Sequence, residues 1–144
     1  MADKVNVYIK AIHTDESGNE EIIETKSKGE WSKRESVNYI VYEENVKESG
    51  YDSSMIKIDG DKISVVKKNK ADKITTKMGF KTGITEETDF NVYGGSLKIS
   101  FDTKFIRVFE TADDLKLAMQ YDIIMNGAFA SKNTMEIKVE KIKG

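Results

Sequence analysis

The chain has 144 residues, of which 38% are hydrophobic and 33% charged, with a formal net charge of -2 and neither Pro nor Cys. That length fits one domain, spanning 1–144, with a core of its own, and the missing Cys excludes a disulfide framework, thiolate-bound metal and thiol nucleophiles. The near-neutral balance argues against wholesale polyanion binding. The opening run Met1-Ala2-Asp3-Lys4-Val5 lacks the order of a secretory signal, and no apolar stretch approaches the roughly 18 residues of a membrane span, so a soluble cytoplasmic protein is expected.

Apolar residues alternate with polar ones along most of the chain, the period of strands with one dry face and one wet face. Val5, Val7 and Ile9 open the first strand. Ile23, Thr25, Ser27, Gly29 and Trp31 then form an uncharged face against Glu24, Lys26, Lys28 and Glu30. Residues 36–44 are apolar on both faces (Val37, Tyr39, Val41 and Ile40, Tyr42), as in a strand covered on two sides. The polar stretch 43–53 is the one candidate for a short helix or long loop. Ile56-Lys57-Ile58, Asp59-Gly60-Asp61 and Ile63-Ser64-Val65 read as a hairpin.

Ile74, Thr76, Met78 and Phe80 share the next apolar face, and Gly83 marks a reversal. Gly94-Gly95 is a turn before Leu97, Ile99 and Phe101, and residues 105–110 form a mixed strand. Leu115, Leu117, Met119, Tyr121, Ile123 and Met125 make the clearest strand, followed by Asn126-Gly127, a pair suited to a type I′ turn. Met135, Ile137 and Val139 pair with that strand through a connection longer than two residues. The total is about ten strands and no sustained helical period, hence an all-β fold. Tight turns between nearly all neighbours favour an antiparallel up-and-down β-barrel over a β-sandwich, because closing a meander removes its exposed edges.

Tyr39-Ile40-Val41-Tyr42-Glu43-Glu44, Met78-Gly79-Phe80, Phe90-Asn91-Val92-Tyr93-Gly94 and Tyr121 together resemble the YwiB-like family of small bacterial proteins. The resemblance runs over nearly the whole chain and departs from the family at Asn91-Val92, where Thr-Pro is expected. It implies a lipocalin-like, calycin-type barrel in a family without an established activity.

Candidate chemistry is sparse. His13, the sole histidine, precedes a polar run and reads as a solvated strand end rather than a haem ligand. Glu43 and Glu44 are adjacent, so on a strand they face opposite ways and cannot share a proton. No catalytic motif, phosphate loop, cofactor motif or metal-binding spacing is present. Gly29-Glu30-Trp31 reads as the G-x-W found near the closed end of lipocalin barrels, with Arg107 placed to pack across the indole. Lys62, Lys67, Lys68, Lys70, Lys73, Lys77 and Lys81 make a basic ribbon over residues 62–81 against Asp72 alone.

The reading is a non-enzymatic barrel binding a small apolar or amphipathic ligand. Trp31, Tyr39, Met78, Phe80, Met119 and Tyr121 are expected to line it, with Arg107 for an anionic head group. Glu43 stands at the mouth, the first place to look for a displaced pKa. The alternative is a protein- or RNA-interaction module using the lysine ribbon on the exterior; nucleic acid is otherwise not an expected partner.

Overall fold

Ten strands follow one another in a computed structural model that describes residues 2–43, 53–69, 74–92 and 95–142. They are β1 (Asp3–Asp15), β2 (Glu20–Arg34), β3 (Val37–Glu43), β4 (Ser53–Asp59) and β5 (Lys62–Asn69), then β6 (Ile74–Lys81), β7 (Thr85–Val92), β8 (Gly95–Glu110), β9 (Asp114–Met125) and β10 (Ala128–Lys141). All lie in one antiparallel sheet in the order β6-β5-β4-β3-β2-β1-β10-β9-β8-β7. Every neighbour is also a sequence neighbour except β1 and β10, which pair from Val5↔Lys141 to Asp15↔Ser131 and close the meander. The result is an up-and-down β-barrel. The helix-or-loop candidate at 43–53 begins at the last residue of β3 and ends at the first of β4, while 44–52 lie outside the described residues.

The barrel has a seam. Among the described residues, β6 and β7 share a single bridge, Lys81↔Ile84, at the turn containing Gly83 (φ 78°). Beyond it the strands meet through side chains: the Thr88 hydroxyl donates to the Lys77 carbonyl at 3.0 Å, and the Glu86 carboxylate lies where a Cβ on Gly79 would be.

The strand count agrees with the sequence reading, but its composition does not. Residues 96–102 and 105–110 form the single strand β8, and β7 is a strand that the alternation does not predict. A bulge between Thr103 and Phe105 on β8 breaks the alternation there, with Lys104 held by Asp102 at 2.8 Å. The first half of β7, Thr85-Glu86-Glu87-Thr88, has no apolar residue to show a period. The β9–β10 connection is also shorter than expected. Asn126 (φ 50°) and Gly127 (φ 82°) form the whole turn, and β10 starts at Ala128 with a bulge between Phe129 and Ser131 that restores the phase of Met135, Ile137 and Val139.

Inward positions carry the core. Val5, Val7, Ile40, Ile63, Leu115, Leu117, Met119 and Val139 are fully or almost fully buried, and the rings of Phe80, Phe101 and Tyr121 pack tilted to one another with centroids 4.7–5.8 Å apart. β3 is not covered on both faces: Asn38, Ile40 and Tyr42 are buried whereas Val41 is exposed. Its two-residue turn, Glu35 (φ 48°) and Ser36 (φ 74°), pairs Arg34 with Val37 and sets Trp31 opposite Ile40. Residues directly opposite on an antiparallel pair share a face, so the even positions of β3 point inward.

Candidate ligand cavity

One end of the barrel interior is filled. There the Trp31 Nε1 donates to Asn38 Oδ1 at 2.9 Å, and Asn38 Nδ2 donates to Glu110 Oε1 at 2.9 Å. Lys33 Nζ reaches the other carboxylate oxygen at 2.8 Å. These bonds, with Lys141 nearby, hold the Glu110 carboxyl below its usual range. The cation over the indole is Lys141, 5.3 Å from the ring centroid, in place of Arg107. Lys141 pairs with Val5, whose strand carries Asp3 opposite Trp31, so the cross-strand register delivers it to the ring.

Towards the opposite end the interior holds a cavity of about 500 Å³. Ile9, Ala11, Ile56, Val65, Met78, Phe80 and Met135 supply apolar walls, and Tyr42 and Tyr121 add phenols. Ala11 is small beside Ile9 and opposite Met135, which leaves room. Glu21 and Ile23 are exposed at the rim, so the cavity communicates with solvent, and half-buried Lys67 places a cation on the wall. Burial pushes the Tyr121 phenol up to about 12, so it stays neutral well into the alkaline range.

Beside the cavity a polar row crosses five strands in register: Thr103, Tyr121, Asn133, His13 and Glu21. His13 is therefore part of β1 rather than a solvated strand end. Its Nδ1 lies 2.8 Å from Asn133 Oδ1, and Asn133 Nδ2 donates to Ser131 Oγ at 2.9 Å. Asn133 thus links the imidazole to Ser131 inside the barrel.

Of the residues expected to line a site, Met78, Phe80 and Tyr121 meet at the cavity. Trp31 and Met119 face inward but are packed in the core away from it. Tyr39 faces outward, with Lys57 Nζ 5.9 Å from its ring centroid, because the Glu35-Ser36 turn assigns the inner face to Ile40 and Tyr42. Glu43, on the same face as Tyr39, is exposed on the outside. Arg107 is outside too, its guanidinium 4.7 Å from the Phe105 ring centroid, because the extra residue at the β8 bulge reverses the phase after Thr103.

The lysine ribbon is divided by the same alternation. Lys62, Lys68 and Lys77 are exposed and Lys81 is half-buried, while Lys67 turns into the barrel; Lys70, Asp72 and Lys73 lie outside the described residues. Lys67 was legible as a continuation of Ile63 and Val65 at period two. Tyr42 was not, since both faces of β3 are apolar and the register decides between them.

The sequence profile of a domain of unknown function, DUF1934, matches residues 7–137. The chain belongs to the DUF1934 family. This DUF1934 chain is also similar to a solved structure, the crystal structure of YwiB protein from Bacillus subtilis, with a TM-score of 0.82 and 18% sequence identity over 99% of this chain and 94% of that one. At that identity the likeness speaks for the fold, and with the family match it bears out the YwiB-like resemblance of 39–44, 78–80, 90–94 and Tyr121. No match is found among curated proteins. Among the described residues, no helix of this DUF1934 protein is long and apolar enough to cross a membrane.

Proposed function

We propose that this DUF1934 protein is a non-enzymatic, lipocalin-like carrier that holds one small amphipathic ligand inside the barrel. The observation that carries the reading is the cavity of about 500 Å³ with apolar walls and a few polar groups, a size and character suited to a small molecule. The ligand's apolar body lies against Ile9, Ile56, Met78 and Phe80. Lys67 takes the head-group role first expected of Arg107 and favours an anionic group, with the Tyr42 and Tyr121 phenols as neutral partners.

Organic extraction of the purified protein, followed by mass spectrometry, is expected to release a co-purifying amphiphile. Titration with the fluorescent anionic amphiphile anilinonaphthalene sulfonate tests the location. Ala11→Phe puts a ring into the cavity and is expected to weaken dye binding at least tenfold, and Lys67→Met to weaken it several-fold, with the melting temperature nearly unchanged. Dye binding that is indifferent to both substitutions would remove the cavity as the site.

A further inference from the structure

The outer wall formed by β1, β10, β9 and β8 carries a surface row that the interior cavity does not use. In register across that wall stand Phe109, Lys116, Lys138 and Tyr8, continued by Lys26 on β2. Phe109 is 66% exposed although it is a large apolar side chain in a regular strand. Tyr8 is half-buried, with Lys26 Nζ 5.7 Å from its ring centroid, and that burial, with the Glu24 carboxylate on the neighbouring strand, raises its phenol pKa. The next row holds Arg107, Ala118, Glu136 and Lys10. Ala118 is short between long neighbours, so a depression of about 610 Å³ opens there, bordered by Tyr8, Arg107, Phe109, Lys116, Glu136 and Lys138.

We propose that this wall binds single-stranded nucleic acid, with bases stacked on Phe109 and Tyr8 and the phosphates following Lys116, Lys138 and Arg107. Three arguments favour that occupant. Aromatic faces beside cations on a sheet surface suit a chain of planar bases joined by phosphates, and stacking is tolerant of sequence. Phe109 and Tyr8 are three strand spacings apart, about 14 Å, which leaves room between them for the two lysines and a short backbone segment. At Lys116, Lys138 and Tyr8 the strands β9, β10 and β1 are each paired on both sides, so the middle of the row has no edge to offer an extended peptide. Lys138 shares its charge with Glu140 at 2.7 Å and Glu136 opposes the lysines, so the interaction is modest in strength and sensitive to salt.

The test is fluorescence anisotropy of labelled oligo(dT) and oligo(U) of about twelve nucleotides with the full-length protein. Binding is expected at low salt, with log K falling against log salt at a slope of about −1.5 to −2, as for two or three neutralised phosphates on a single strand. Phe109→Ala and Lys116→Glu are each expected to weaken it about tenfold, and Phe109→Trp to retain it. Both positions are exposed, so circular dichroism and the melting temperature stay unchanged. Lys68→Glu, on a different part of the exterior, is the control and leaves binding intact. The proposal is overturned by no anisotropy change at low salt, by an equal effect of Lys68→Glu, by equal binding of a duplex of the same length, or by equal capture of polyglutamate.

Discussion

Burial of Tyr121 has a consequence in alkali. Its phenol is held at about 12 in the folded chain against an ordinary 10.0, so above pH 10 the unfolded state ionises first and stability falls as pH rises towards 12. A displacement of that size corresponds to about 2–3 kcal/mol. Alkaline unfolding of Tyr121→Phe is therefore expected to be less steep than that of the unmodified chain over this range, as measured by urea denaturation at a series of pH values. Glu110 acts at the other end of the scale. Its carboxyl is held below the ordinary 4.5, so its contribution is present above that value and is lost as pH falls through the lowered one. Glu110→Gln is expected to cost about 0.5–1 kcal/mol at pH 7, because Lys33 and Asn38 lose a charged acceptor whose attraction solvent already screens, with the difference from the unmodified chain closing in acid.

Register is decided at the level of single elements, and small backbone features decide it. The β2–β3 turn puts two non-glycine residues at positive φ, a conformation that costs L-residues roughly 1–2 kcal/mol each. Replacing Glu35-Ser36 by Asn-Gly is expected to raise stability by about 1–2 kcal/mol without moving Trp31 from Ile40, which a thermal melt and the tryptophan emission spectrum would show. On the same hairpin a Cβ at Gly29 would run into the Val41 carbonyl oxygen and press on Tyr42. Gly29→Ala is accordingly expected to cost about 2–3 kcal/mol and to disturb the cavity wall at Tyr42, read as a lower melting temperature together with weaker amphiphile binding. Strands such as β9 and β10 were legible because one face is apolar and the other polar. β3 was ambiguous because both faces are apolar, and β7 is hidden because its first half is polar throughout. The bulge at Thr103/Phe105 is invisible to a period-two reading, and it alone moves Arg107 from the interior to the exterior.

At the scale of the whole molecule, the barrel is closed by β1 with β10 and left largely unzipped between β6 and β7. The start of β1 and the end of β10 lie side by side, with Ile142 N–H donating to the Lys4 carbonyl at 3.0 Å. A circular permutant joining these ends through a short flexible linker and opened between Thr82 and Gly83 is expected to fold, because the cut severs two strands joined, among the described residues, by one bridge. Opening at Asn126-Gly127 separates strands paired along their length and is expected to lower the melting temperature further. A comparison of the two permutants by calorimetry would decide. The sequence by itself determined the strand content, the apolar faces of most strands and the meander, since alternation and turn chemistry are local properties of the chain. Only the tertiary structure decided which face of β3 is wet, where Arg107 and Lys67 point and whether the interior stays open. Those depend on register and bulges, through which one residue reverses every side chain that follows, and on how far residues on distant strands fill the same space.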